Sequence, residues 1–456
     1  MDLELFQIVK GVSEEQLHSK FKLLKESITM KDERDILLGW TEGFVDRDKK
    51  IVREFQETFH SSFWEFYLNA CFNEMGFKLE QSYNRPDFII TSPYKIYVEA
   101  VVSNIKKGGR EEKDRDINDL MEMFNPPSQQ PDFVEVLDEA IIRHSNTITY
   151  KINKHFQEYS KCKWIEEDVP FVVAMSSYDQ VNYGREYIYP MMALLYGLYY
   201  VPEENHYIKK GTVVKPETGA KIPIGLFNSD KYSNISAIIY SCTTTLGKLA
   251  SLALSSGKSS TNIVYNLRRD YEDNDIPYKL QVVDKEVPEL LTDGLFIFHN
   301  PYAKNKLDIS CFEETNITQY FIEEGEIFFT SNTSPIITRL NIPRLMQPGF
   351  ETLIQECLRQ YNNVSPLDFY NVSNPQEETI NFDIMCRVCI IAKIPGEIQP
   401  AIFYYDRPQL VPDDVLTREA LEHFAEMRDD KTENIEELIS IYIARTEEQF
   451  NSLGFK

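Results

Sequence analysis

Positive charge is scarce in this chain. Its 48 lysines and arginines stand against 72 aspartates and glutamates, a formal net charge of −24 over 456 residues. That shortage argues against a broad surface that coats nucleic acid, because phosphate contacts need Lys and Arg. It leaves room for a local basic rim around an acidic centre. Long apolar runs are also missing, and none reaches the roughly 18 residues that span a bilayer. The first residues, Met1-Asp2-Leu3-Glu4-Leu5, carry neither a basic start nor an apolar signal core. The seven cysteines are odd in number and scattered, so no disulfide framework is implied. No repeat of fixed period and no low-complexity segment is found. These absences lead to the expectation of a cytoplasmic protein with no membrane partner.

What is present is enough to fold. Apolar residues make up 42 % of the chain and aromatics 12 %, an ordinary globular composition. The length exceeds that at which one core stops growing, so two or three packed units are expected. Residues 1–50 read as a small helical segment. From Ile51, the positions Phe55, Phe59, Phe63, Phe66 or Tyr67, and Ala70 or Cys71 recur at helical spacing. They predict one helix that closes near Gly76. Lys78 to Tyr83, Asp87 to Thr91 and Lys95 to Val102 then read as three strands, with Thr91-Ser92-Pro93-Tyr94 turning between the last two. A polar insertion, Gly108 to Pro131, precedes a second helical stretch from Val134 to Tyr159 and a buried-type strand, Phe171 to Met175. Downstream, Ile235–Tyr240 and Leu295–Phe298 read as strands, Leu246–Leu254 as a helix and Thr417–Leu453 as an acidic helical tail. The expected division is 1–50, 51–304 and 305–456.

Three acids are placed unusually: Glu65 in an apolar helical stretch, Asp87 after Pro86 at the mouth of the second strand, and Glu99 within the apolar third strand. A turn centred between Ser92 and Pro93 sets Asp87 opposite Val98, next to Glu99. Tyr97, Glu99 and Val101 share one face of their strand. A lone carboxylate buried there costs several kcal/mol unless it meets a base, a metal or solvent; an idle Glu99 has Lys95 as its nearest partner along the strand. For Glu65, Ser62 three residues before it allows a capping box, whereas the upstream phenylalanines place Ser62 mid-helix. Three converging carboxylates form a hard oxygen-ligand site for a divalent cation, suited to phosphodiester hydrolysis.

Pro86-Asp87, eleven intervening residues and Glu99, on a helix–strand–strand–strand–helix–strand order, resemble the PD-(D/E)XK nucleases of restriction-endonuclease-like fold. The wider run, Phe63-Trp64-Glu65, Arg85-Pro86-Asp87 and Val98-Glu99-Ala100, is also similar to uncharacterised bacterial proteins. The resemblance covers about residues 50–176 and implies an α/β fold: an αβββαβ core with a mixed sheet flanked by helices, an N-terminal helical segment and an additional α+β C-terminal region. It implies Mg²⁺ or Mn²⁺ held by Asp87, Glu99 and the carbonyl of Ala100, with Glu65 completing the shell. The family places a water-orienting Lys two residues after the Glu, and here Val101 stands there. Some members carry it on the following helix, which makes Lys151 the first candidate, with Lys154 and Lys95 as substitutes. The implied partner is nucleic acid, DNA ahead of RNA, in restriction or antiviral defence, with a homo-oligomer or a defence partner protein as options. The alternative is the same fold without chemistry, serving as a nucleic-acid-binding or scaffold module.

Other signals are weaker. Ser241-Cys242-Thr243-Thr244-Thr245-Leu246-Gly247-Lys248 sits between a strand and a helix but lacks the leading Gly and final Ser or Thr of a phosphate-binding loop. Cys386-Arg387-Val388-Cys389 has no second pair to complete a zinc site. The nearest basic rim is Lys106-Lys107-Gly108-Gly109-Arg110 with Lys113 and Arg115, which reads first as a solvated mixed-charge loop and only second as a phosphate-facing rim.

Overall fold

The computed structural model describes residues 3–106, 108–110, 114, 119, 122–123, 125–130, 132–178, 184–204, 206–216, 218–271, 276–362, 385–393, 401–429 and 437–451. Four helices come first: α1 Ser19–Glu26, α2 Lys31–Trp40, α3 Ile51–Glu57 and α4 His60–Glu74. Three strands, β1 Lys78–Glu80, β2 Phe88–Ser92 and β3 Ile96–Asn104, lead to the long helix α5 Phe133–Gln157, then β4 Phe171–Tyr178 and α6 Tyr189–Tyr196. Two small hairpins follow, β5 Leu198–Val201 with β6 His206–Lys209, and β7 Thr212–Val214 with β8 Lys221–Pro223. Next are β9 Ala237–Ser241, α7 Leu246–Ser255, β10 Asn262–Arg269, β11 Tyr278–Val282, β12 Phe296–His299, β13 Thr318–Glu323, β14 Glu326–Thr330 and β15 Ile336–Pro343.

The fold is mixed α/β, built on an eight-stranded sheet in the order β1-β2-β3-β4-β9-β12-β13-β14. β3, β4 and β9 run parallel at its centre, while β1 with β2 and β2 with β3 pair antiparallel. Parallel central strands are buried on both faces and so read as near-continuous apolar runs. Phe171-Val172-Val173-Ala174-Met175 of β4 is such a run, and every residue of the strand is buried. On one face, Phe63, Trp64, Tyr67 and Phe72 of α4 pack into a core with Val98, Ala100, Val172 and Ala174. The indole of Trp64 also donates to the carbonyl of Ala174 at 2.9 Å. α5 packs against β3 and β4, burying Ile141, Ile148 and Ile152.

Three expectations change. The single helix from Ile51 to Gly76 is two, because Phe59 takes a positive φ of 62° and turns the chain between α3 and α4. The phenylalanine spacing persists across the break because Phe55, Phe59 and Phe63 stay packed ring against ring. The boundary near residue 305 moves: one compact unit runs Met1–Asn341 and the other Ile342–Lys456, since β13 and β14 belong to the large sheet. The acidic tail is not all helix. The second unit contains α8 Gln347–Asn362, β16 Met385–Lys393, β17 Ala401–Pro408, α9 Asp413–Asp429, β18 Glu437–Ala444 and α10 Glu447–Asn451. β18, with its Ile-Ser-Ile-Tyr-Ile alternation, pairs with β16, as a period of two requires.

Candidate functional site

The β2–β3 hairpin pairs Phe88 with Val98, Ile89 with Tyr97 and Ile90 with Ile96. Its centre falls on Pro93, one step from the expected turn, so Asp87 stands opposite Glu99 rather than Val98. Side chains alternate across a strand and directly opposed residues point the same way. Phe88 and Val98 enter the α4-side core, which sends Asp87 and Glu99 together to the α5 side. β2 begins at Phe88, and just before it the Asp87 side chain stands in for the missing strand: its Oδ2 accepts the Ala100 N–H at 2.8 Å.

Glu99 is 1 % exposed. Its Oε1 accepts from Lys151 Nζ at 2.7 Å and from the Tyr159 hydroxyl at 3.0 Å. Its Oε2 is buried with no hydrogen-bond partner, a vacancy that costs about 1–3 kcal/mol or more for a charged group. Lys151 lies on the face of α5 that also carries the buried Ile148 and Ile152, three or four residues apart as a helix stripe demands. Lys95 is elsewhere, paired with Glu166. Lys154 lies over the Tyr159 ring, 5.7 Å from its centroid.

Glu65 is within electrostatic reach of the strand acids. Burial, then the charges of Asp87 and Glu54, lift its carboxyl well above the usual range; Arg47 opposes this and Glu99 adds to it. Ser62 donates to the carbonyl of Ile51 at 3.2 Å and α4 begins at His60, so no capping box employs Glu65. Asp87 is pushed up to about 7 by burial and by Glu99, against the opposing pull of Lys151, the Ala100 N–H and Arg47. Burial alone lowers the Lys151 ammonium, but Glu99 and Asp87 outweigh it and leave it raised. The Tyr159 hydroxyl is raised by burial and then by Glu99. Three carboxyls and one ammonium thus share a poorly solvated space. Among the described residues, no group of three or more His, Cys, Asp or Glu side chains is disposed to hold a metal ion, so Glu65 does not close a three-acid cage.

Two participants escaped the sequence reading. Arg47, in the connection between α2 and α3, donates to the carbonyls of Tyr83, Pro86 and Asp87, the last at 2.7 Å, and so grips the loop that presents Asp87. Tyr159 follows α5 and meets Glu99 from sixty residues away. Neither belongs to a short motif; only the fold brings them in.

The weaker signals resolve structurally. Lys248 is 1 % exposed, and its ammonium donates to Glu289 Oε1 at 2.6 Å, to the carbonyl of Leu290 at 2.8 Å and to that of Asp293 at 2.9 Å. An ammonium has three protons, so none is left for a phosphate. Cys386 and Cys389 are buried in β16 with free thiols. In the basic rim, Lys106 pairs with Glu139 and Arg110 with Asp119; Lys107, Lys113 and Arg115 lie outside the described residues. No helix of the described residues is long and apolar enough to cross a membrane. No protein-family model, curated protein or solved structure matches this chain.

Proposed function

We propose that this protein is a metal-dependent nuclease of the PD-(D/E)XK kind, cutting DNA in preference to RNA and acting in the cytoplasm in restriction or antiviral defence. One observation carries the reading. Glu99 is buried mid-strand with one oxygen held by Lys151 and Tyr159 and the other unpartnered, directly beside Asp87. A structural ion pair has no need of a second acid at that spot, since like charges raise each other's cost. A cation site does.

The donor set suits a hard cation. Mg²⁺ is commonly held by one or two carboxylates and keeps several waters. Here Asp87 and Glu99 supply the carboxylates and the Ala100 peptide lies against Asp87. When bound, Mg²⁺ or Mn²⁺ supplies Lewis-acid stabilisation of charge on the phosphoryl oxygens and a lowered pKa for water. The chain's own residues do the rest. Lys151 holds Glu99 in place and carries a positive charge toward the attacking water, the role a strand lysine has in the resemblance. Tyr159 fixes the same carboxylate oxygen and denies it a second rotamer. Arg47 sets the Asp87 loop. Glu65, whose carboxyl is raised well above the usual range by burial and then by Asp87 and Glu54, adds a third acid within electrostatic reach of the site.

The test is a cleavage assay on DNA and RNA with Mg²⁺ or Mn²⁺, repeated with EDTA and with Asp87→Ala and Glu99→Ala. Activity lost in all three supports the proposal; activity undiminished in both variants overturns it. The lack of a three-ligand group among the described residues favours a second reading, a nucleic-acid-binding or scaffold module without cleavage. Binding with no cutting under either metal selects it.

A further inference from the structure

Beyond Phe88, the β2 side of β3 has no strand partner among the described residues. A cleft of about 440 Å³ opens along that free edge, walled by Ser61 of α4, by Ala100, Val101 and Val102 on the strand and by Asn146, Thr147, Tyr150 and Lys151 of α5. It adjoins the carboxylate site through Ala100 and Lys151, the residues that touch Asp87 and Glu99. Its size is at the low end of small-ligand sites, roughly 300–1,000 Å³, enough for one nucleotide. The walls mix hydroxyls, an amide, one cation and one aromatic with the apolar Val101 and Val102 of the strand. That aromatic, Tyr150, is 64 % exposed. An exposed tyrosine alone needs no explanation, but this one stands on the rim of a cleft next to a lysine aimed at the acids.

The distribution of charge narrows what enters. Duplex binding draws most of its affinity from phosphate contacts by Lys and Arg. Around this site several of those groups are paired, Arg85 with Glu158, Lys95 with Glu166, Lys106 with Glu139 and Arg110 with Asp119, while Lys151 spends one of its three protons on Glu99. The chain as a whole carries a net charge of −24. Stacking an unpaired base on an aromatic ring contributes about 1–3 kcal/mol per base, a contribution that a paired base inside a duplex cannot make. A half-apolar, half-polar slot with one aromatic and one cation suits the flat base and the single phosphate of an unpaired nucleotide.

We propose that the cleft seats one unpaired nucleotide of a single-stranded nucleic acid, its base stacked on Tyr150, its edges facing Asn146 and Thr147, and its phosphate at Lys151. This rests on the nuclease reading of the adjoining site and names its substrate class as single strands or frayed ends rather than intact duplex.

The experiment is fluorescence anisotropy in EDTA with labelled single-stranded DNA, single-stranded RNA and duplex DNA of equal length, on wild type, Tyr150→Ala and Tyr150→Phe. Single strands should bind at least about tenfold more tightly than duplex. Tyr150→Ala should weaken them about 5- to 150-fold, the stacking energy expressed as an affinity ratio, and Tyr150→Phe should keep most of the affinity. The DNA and RNA arms identify the sugar. Duplex bound as tightly as single strands, or Tyr150→Ala binding like wild type, overturns the inference, as does no binding of any nucleic acid. The nuclease reading fails separately. Tyr150-dependent binding of single strands with no cleavage under Mg²⁺ or Mn²⁺ keeps this inference and removes that one. Cleavage of duplex that Tyr150→Ala leaves unimpaired does the reverse.

Discussion

Lys151 reaches from α5 to the middle of β3 and donates to Glu99 Oε1 across 2.7 Å, fifty-two residues away in the chain. The ammonium offsets a carboxylate that the sheet otherwise buries, so the pair is structural whatever else it does. Removing one partner of such a pair leaves an uncompensated charge. Lys151→Met should therefore cost about 1–3 kcal/mol in urea unfolding, below the full burial penalty because Lys151 keeps some solvent contact. In the nuclease reading it should also reduce cleavage about 100-fold or more, the scale of a lost proton-handling group. Lys151→Arg should recover the stability more fully than the activity, since it restores the charge but not the placement of a single ammonium.

Asp87 gives a pH signature. Its folded carboxyl titrates near 7 rather than at the ordinary 3.8, so folding binds a proton more tightly than unfolding. The favourable contribution is complete below about pH 4 and is lost as pH rises through about 7. Acid also charges the half-buried His18, whose imidazole is pushed down to about 4 by burial and then by Lys20, and that opposes the trend below the usual histidine range. Comparing wild type with Asp87→Asn in metal-free buffer isolates the carboxylate. The variant should melt about 1–3 °C higher than wild type at pH 8, corresponding to roughly 1–2 kcal/mol of relieved repulsion in a chain of this size, with the difference shrinking toward pH 5. A constant difference across that range would remove the raised carboxyl.

Much of this was legible from residues. Phe171–Met175 announced a central parallel strand, since burial on both faces leaves no polar position to break the run. The order of helix and strands around Asp87 and Glu99 followed from period alone. The hairpin register was off by one because a four-residue turn does not reveal its own centre, and only the pairing of Phe88 with Val98 fixes it. The break at Phe59 was hidden because the same rings remain in contact through it. Arg47 and Tyr159 were invisible for a deeper reason. Each acts through one long-range hydrogen-bonding group, and a single residue far along the chain has no spacing to recognise. β18 was missed because acidic residues precede it and masked its alternation.

Lys248 separates a structural lysine from a ligand-binding one. Its partner Glu289 is also bound by Arg339, by Ser251 and by Asn266, and opposing charges drive that carboxyl below the usual range despite burial. Lys248→Met leaves the carbonyls of Leu290 and Asp293 without this donor and the network one charge short. The loss should be about 3–5 kcal/mol, read as a lower urea midpoint. ATP or inorganic phosphate should leave the melting temperature of the wild type unchanged, and a phosphate-dependent rise abolished by Lys248→Met would show that the loop binds phosphate after all.

Divalent cations provide the most direct test of the acids. A ligand that binds only the folded protein raises stability by RT ln(1 + [L]/Kd), about 2.7 kcal/mol at a hundredfold excess over Kd. Mg²⁺ or Mn²⁺ should therefore raise the melting temperature of the wild type. The increment should be larger at pH 8 than at pH 5.5, because below about 7 a proton occupies Asp87 and competes with the ion. Glu99→Gln and Asp87→Asn should each abolish the increment at both pH values, since each removes one of the two strand carboxylates. Glu65→Gln should retain most of it, because Glu65 is outside any three-acid group among the described residues. An increment equal at both pH values, or one surviving Glu99→Gln, would place the ion somewhere other than between β2 and β3.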